Sequence, residues 1–335
     1  MNKKIQLETP SLFGDYKYPE VKAIMEKQQD IVWYAQEIKV ENDIHDFLTK
    51  MTDDEFKLVN VTLSLFVEIE QTVGKIWAKV EEWFPHSEIE GACSAIAAME
   101  KSVHAFFYQK MNDVLNIAPE DTEKAQKTVK ELKKKLKLLN DILENADNNK
   151  PLTLATVAFI EQVLLFSNFA MLKSFQANGN NLAPNTISGV DYVVNDEVLH
   201  GELAAYLFNT YNEEMKALNV SYDMKELERQ IVEVARVIIE HEDAVIDYLF
   251  ETDDKYISGI NRVQLKQFIR SRINYVAATM KIQLKYDITD TTIADWFYKG
   301  ANAIKIHDFF VKGTNSYTRT WSEEGFSRME FLDAE

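Results

Sequence analysis

The sequence predicts an all-α fold, a bundle of long helices with a dinuclear metal site in its core. Three observations carry this. Hydrophobic residues make up 46% of the 335, yet Gly and Pro number only 10 and 6, too few turn formers for a protein of many short strands. Apolar residues recur three and four apart through several long stretches. Two of those stretches place a carboxylate and an imidazole one helical turn apart, Glu100 with His104 and Glu197 with His200.

In chain order, residues 1–30 read as an extended lead-in with Pro10, Gly14 and Pro19, closing in a short helix over 20–29. Trp33 follows among mixed apolar and polar residues, where an indole is first of all a core anchor. Met51-Thr52-Asp53-Asp54-Glu55, Thr or Asp before a carboxylate, is a capping signal that opens a long helix through Trp77. On it Leu63, Phe66, Glu70, Val73 and Trp77 share one face, so Glu70 lies on an apolar stripe where an uncompensated carboxylate is costly. Glu68, two residues away, points nearly opposite, and the stripe favours Glu70.

Pro85 breaks that helix, and Ser87 restarts one carrying the column Glu100, His104, Tyr108 to about Leu115. Residues 120–147, rich in Lys and Glu with Leu132, Leu136 and Leu139 at helical spacing, read as a solvated connecting helix. The most apolar helix spans 152–177 and holds a lone acid, Glu161. Ser188-Gly189-Val190-Asp191 leads into the helix of Glu197 and His200, and further helices are expected near 223–251, 262–285 and 294–304. Without periodicity after residue 311, residues 312–335 read as a flexible tail behind a helical domain spanning 1–311.

Composition narrows function. With 54 acidic against 37 basic residues and a net charge of −17, the chain lacks the basic face that nucleic-acid phosphates require. No signal-peptide core opens it and no 18-residue charge-free apolar run follows, so a cytoplasmic protein with no membrane partner is expected. The only cysteine, Cys93, excludes an internal disulfide and any site of several thiolates. A metal is therefore held by carboxylates and imidazoles, which suits iron or manganese.

The acids occur in the order lone, paired, lone, paired: Glu70, Glu100 with His104, Glu161, Glu197 with His200. That is close to the ligand set of a di-iron or di-manganese carboxylate bundle. Each member alone is weak; together they need a common cause, and metal supplies one. The other histidines act as controls. His241 and His307 have no Glu three or four residues ahead, while the pairs Glu41 with His45 and Glu82 with His86 read as surface.

With these residues in place, the chain resembles the radical-generating small (β) subunit of class I ribonucleotide reductase, a ferritin-like family, from Trp33 to Tyr317. The motifs are Val32-Trp33 followed by Gln36-Glu37-Ile38, Glu70 with Gly74, His104 with Tyr108, Ile160-Glu161, Asp196-Glu197-Val198-Leu199-His200, and Phe309-Phe310 before Asn315-Ser316-Tyr317. The resemblance implies that Tyr108 holds a stable radical and that Trp33 with Asp196 forms a proton-coupled electron relay. It implies that Tyr317 hands the radical to the large subunit through the tail, and that the subunit is a homodimer; it also allows an activating flavoprotein.

Physical chemistry is compatible with this. Tyr108 shares the stripe of His104, Leu165 and Phe169 follow Glu161 by four and eight residues as a dry wall, and Asp196 can accept the outer proton of a metal-bound histidine.

The chain departs from the family pattern at three places. Lys101, not Glu, stands three residues before His104, so either a helix bulge brings Glu100 into the ligand place or Lys101 occupies it. The latter resembles a subgroup with a metal-free modified-tyrosine radical, but with one ligand in question the metal reading is kept. Glu70 stands where many members have Asp, and Tyr317 is the tail's only tyrosine. The alternatives are a ligand-binding oxidase of the same bundle, which Tyr108 and Tyr317 disfavour, and a ferritin-type iron-binding protein, which needs no relay through Trp33 and Asp196. A metal-free helical scaffold is disfavoured by the buried acids.

Overall fold

Helix boundaries in the computed structural model, which describes residues 4–115, 119–177, 179–219 and 223–297, follow capping and breaking residues wherever the partners are local. Helix α1 (Pro19–Asp30) opens on its own proline, and a short α2 (Ile44–Thr49) follows. At the start of α3 (Asp53–Trp83) the Thr52 hydroxyl oxygen accepts the Glu55 N–H at 3.3 Å and the Glu55 carboxylate accepts the Thr52 N–H at 2.8 Å, a reciprocal cap that singles out Thr52 within the expected capping signal. After Pro85 come α4 (Ser87–Met99), a π-helical turn (Glu100–His104) and α5 (Ala105–Leu115).

The stretch expected to be a solvated connector is instead α6 (Pro119–Lys133) and α7 (Lys137–Glu144), joined by a 3₁₀ turn. Its leucine stripe is buried: Leu132, Leu136 and Leu139 are core residues, and α6 packs on α3 and on α11 (Met224–Phe250). A stripe of leucines on a charged helix is a packing face.

The expected continuous helix over 152–177 is broken in two, α8 (Lys150–Gln162) and α9 (Phe166–Ala177). Val163 leaves helical geometry and Leu165 takes φ +72°. The cause lies on α11, where the Glu242 carboxylate accepts the Leu165 and Ser167 N–H groups, each at 3.1 Å, and the Ser167 hydroxyl at 2.6 Å. A buried carboxyl group at the first turn of α9 replaces the intrahelical bonds lost at the break. By length and composition this 150–177 segment is the one stretch among the described residues able to cross a membrane, and its apolar window is wholly buried inside the bundle.

Helix α10 (Pro184–Ala217) starts several residues before the expected Ser188. Asp43 and Asp46 set that start: Asp46 accepts the Ala183 N–H at 2.9 Å, with Ala183 at φ +49°, and Asp43 accepts the Thr186 N–H at 2.6 Å. Past α11, a two-residue hairpin, β1 (Tyr256–Ile257) with β2 (Ile260–Asn261), leads into α12 (Arg262–Thr279), capped by Asn261 and Gln264. Helix α12 ends before the expected residue 285 because the chain turns at Lys281, φ +61°. Helix α13 (Thr292–Phe297) covers the start of the expected 294–304 piece. His307, the 312–335 tail and Tyr317 lie outside the described residues.

Helix α8 lies along α10, and α3 lies along α4 and α5. The two pairs meet through the functional side chains. An outer layer of α11 and α12 closes over α8.

Candidate metal centre

On α3 the stripe behaves as expected, with Leu63, Phe66, Glu70, Val73 and Trp77 all buried. The Glu68 side chain lies outside those described, so Glu70 is assigned by its own position. The π turn brings Glu100, not Lys101, into the cluster. Ala105 N–H bonds back to the Glu100 carbonyl, a five-residue step that accommodates one extra residue. A pair four apart then serves as the three-apart pair Glu197 and His200 serves on α10. Glu100 is 1% exposed, while Lys101 turns outward and is exposed. Gly74 on α3 allows this close packing, since a Cβ there would stand 3.0 Å from both Glu100 Cβ and Lys101 Cγ.

The six residues expected to converge do so. Glu70, Glu100, His104 and Glu197 form one group and Glu100, Glu161, Glu197 and His200 a second, each with its ligand atoms within 4.8 Å of one another. Glu100 and Glu197 belong to both. His104 Nδ1 lies 3.3 Å from Glu70 and 3.2 Å from Glu197, and His200 Nδ1 lies 2.9 Å from Glu100. Despite that last distance, neither His200 Nδ1 nor either Glu100 oxygen makes a hydrogen bond among the described residues. A small cavity of about 20 Å³ lies among the four acids, walled by Ile69, Val73, Leu164, Leu165 and Phe169.

Without metal, the cluster is neutralised by protons. Burial first, then repulsion from Glu100 and Glu197, raises the Glu70 carboxyl well above its ordinary value, and burial with Glu197 does the same to Glu161. Burial also disfavours the Glu100 anion, but the nearness of Glu70 and of the two imidazoles outweighs it and lowers its pKa. Glu197 is lowered too, where the nearness of Glu161, His104 and His200 outweighs burial and the Glu100 charge. Burial alone would lower both histidines; the surrounding carboxylates, Glu100 foremost, raise them instead. Four carboxylates and two imidazoles crowded into one dry volume carry the donor chemistry of two divalent ions.

Outward from His104, Asp196 Oδ2 accepts from His104 Nε2 at 3.0 Å and from the Trp33 indole N–H at 2.8 Å, and the Trp33 and His104 rings stack at 5.9 Å. Trp33 is thus both the expected core anchor and one end of a continuous polar link. The Tyr108 hydroxyl is fully buried and has no hydrogen-bond partner among the described residues. Its ring packs on Phe66 at 4.5 Å, and Phe66 packs on Phe169 at 4.8 Å. The expected dry wall therefore exists, though Leu165 and Phe169 reach it across a helix break.

Sequence reasoning missed three participants. The Trp77 indole N–H donates to Glu161. Gln28 places its amide nitrogen 3.4 Å from His200 Nε2 while its own Oε1 lacks a partner. Turning that amide over sets Oε1 against the ring N–H and leaves Nδ1 for a metal. The legible signal was a polar residue in the Val21, Ile24, Gln28 stripe of α1. Glu242 left no such signal. One control also differs: His86 is buried, not surface, with Nε2 3.0 Å from the Gln6 carbonyl and its ring against Tyr18. His45 is exposed as expected, and His241, though buried, stands beside Glu242 away from the cluster.

Residues 12–292 match a family model described as ribonucleotide reductase, small chain. A probable ribonucleoside-diphosphate reductase small subunit of Invertebrate iridescent virus 3 is 22% identical over 325 residues, 92% of this chain and 84% of that one. The ribonucleoside-diphosphate reductase subunit beta of Treponema pallidum is 22% identical over 320 residues, 92% of this chain and 88% of its own. Among solved structures, dimanganese(II)-NrdF of Streptococcus sanguinis superposes with a TM-score of 0.71 at 18% identity, over 84% of this chain and 94% of that one. The Rnr4 homodimer of Saccharomyces cerevisiae gives 0.68 at 16%, over 87% and 92%.

Proposed function

The chain belongs to the ribonucleotide reductase small-chain family, the small subunit of a ribonucleoside-diphosphate reductase, and on that premise we propose how its residues serve the enzyme. Glu70, Glu100, His104 and Glu197 hold one metal ion, Glu100, Glu161, Glu197 and His200 the other, with Glu100 and Glu197 shared. The observation that carries this is the convergence of both groups around buried Glu100 and His200 atoms that no described protein group satisfies. The donor set suits iron or manganese, and the structural relative in Streptococcus sanguinis is a dimanganese(II) protein. Once loaded and activated by an oxygen species, the two ions supply a one-electron oxidant.

The chain's own residues store and conduct. Tyr108, dry and with no hydrogen-bond partner among the described residues, is the phenol that holds the stable radical in this reading, with Phe66 and Phe107 against its ring. Asp196 fixes the His104 ring through Nε2 and accepts the Trp33 N–H, so an electron leaving Trp33 can be matched by a proton moving to Asp196 Oδ2. Residues 312–335 bind the large subunit and Tyr317 receives the radical for it. A homodimer is expected on the precedent of the yeast relative, and an activating flavoprotein is a candidate loading partner.

Metal analysis of chain purified from metal-supplemented cells, joined to electron paramagnetic resonance after exposure to oxygen or superoxide, tests this. Two ions per chain and a tyrosyl signal lost in Tyr108→Phe are expected; a metal-free chain after supplementation overturns the reading. With the large subunit present, Tyr317→Phe should bind normally and lose turnover.

A further inference from the structure

The leucine stripe that runs from α6 into α7 does not close fully on its neighbours. Leu136, Leu139 and Leu143 are buried, yet they border a cavity of about 270 Å³ that α3 and the end of α8 wall on the other side. Packed interiors leave few voids larger than a water molecule, and this one has room for about nine. Its inner wall is Ile69, Val73, Ile160 and Leu164, four side chains that also help enclose the small cavity among the metal-site acids. Thr72, Lys75 and Asn140 line it too and are exposed, with Lys133 half-buried beside them, so these four mark its mouth.

Floor and mouth differ in chemistry. The floor is aliphatic, with no aromatic ring among the described lining residues on which a base or a sugar could stack, so a flexible hydrocarbon is the matching shape. The mouth carries two ammonium groups and no carboxylate among the described lining residues, in a chain whose net charge is −17. Two lysines at one opening, against that overall balance, attract an anion. Burial lowers the Lys133 pKa, and an anion beside it offsets that penalty. Asn140 adds an amide that can donate to the same group.

We propose that this cavity binds a single-chain aliphatic anion, a carboxylate of medium length, with its head at Lys75, Lys133 and Asn140 and its tail along Leu136, Leu139 and Leu143. The tail ends against the shared wall and adds an apolar layer behind the metal centre. The head stays at the surface and does not touch the metal ligands, which lie beyond that wall.

The site is independent of the metal assignment, and it can be tested on the full chain whether or not metal is loaded. Isothermal titration with butyrate, hexanoate and octanoate, all below micelle formation, should give one site per chain whose affinity rises about fourfold per methylene. Octanol, which keeps the tail and loses the charge, and octyltrimethylammonium, which reverses it, should bind at least tenfold more weakly than octanoate. Lys75→Met with Lys133→Met should cost octanoate about tenfold and leave octanol unchanged, because methionine keeps an aliphatic stem. Leu139→Phe, which fills the cavity, should abolish binding of both. Lys281→Met, which removes a surface partner of Glu213, should change neither. Thermal melts check that each variant is folded, and if Leu139→Phe is not, the lysine pair decides. Octanoate that fails to bind, binds no better than octanol, or keeps its affinity in the lysine pair overturns the proposal.

Discussion

Two buried acid sites lie close together in this bundle, and they solve the same problem in opposite ways. Glu242 is fully buried, and the protein itself satisfies it: two backbone N–H groups and the Ser167 hydroxyl converge on its carboxylate. At the second site Glu70, Glu100, Glu161 and Glu197 face one another with two imidazoles, and Glu100 and His200 are left with buried atoms that bond to nothing described. Burial of an acid therefore does not by itself mark a metal site. Glu242 holds a helix break and serves the fold. What distinguishes the cluster is convergence that leaves the Glu100 oxygens and His200 Nδ1 without a bond among the described residues, an arrangement whose cost is offset by protons or metal.

The contrast breaks most sharply under alanine substitution. Glu100→Ala and Glu197→Ala each remove a carboxylate common to both groups, so metal content should fall from two ions per chain to near zero while the fold survives, because repulsion among the remaining acids is relieved. Elemental analysis and a thermal melt on the same sample check both halves. Glu242→Ala should do the reverse. It strands two N–H groups and a hydroxyl, costing about 2–5 kcal/mol of stability in a denaturant titration, while the folded fraction still loads metal. If both sites lose metal equally, the distinction between them fails.

A smaller effect is set by pH. In the metal-free cluster Glu70, Glu161, His104 and His200 all have raised pKa values and hold protons that metal must displace. Uptake should therefore release protons and strengthen as pH rises from about 6 to about 8. Isothermal titration in buffers of different ionisation enthalpy measures the release, and pH-independent uptake would contradict it.

Smaller again is Gly74→Ala, whose methyl meets Glu100 Cβ and Lys101 Cγ at 3.0 Å. It should shift the π turn, weaken metal binding and cost about 1–3 kcal/mol. Lys101→Ala, on the exposed side of that turn, should leave metal content unchanged.

How much of this was legible follows from where the partners sit. The Thr52 cap, the α3 stripe and the alternation of lone and paired acids are local patterns, and the structure shows each of them. At the second ligand position, local reasoning reached two options, Glu100 through a bulge or Lys101. The π turn places Glu100 inside. What escaped depends on distant groups. The α8 to α9 break is made by Glu242, 75 residues from Ser167, and the start of α10 by Asp43 and Asp46, more than a hundred residues back. Glu161 and Phe169 would lie on one face of an unbroken helix, yet they meet the site from two helices. Gln28 showed only as a polar residue in an apolar stripe, visible in the sequence but without a partner to name.

The paired metal assignment is tested most directly by anomalous diffraction from crystals of the chain loaded with manganese, collected at the manganese absorption edge. Two peaks are predicted, one bounded by Glu70, Glu100, His104 and Glu197 and the other by Glu100, Glu161, Glu197 and His200, with Glu100 and Glu197 touching both. A single peak, no peak, or a site in which Lys101 displaces Glu100 would contradict it.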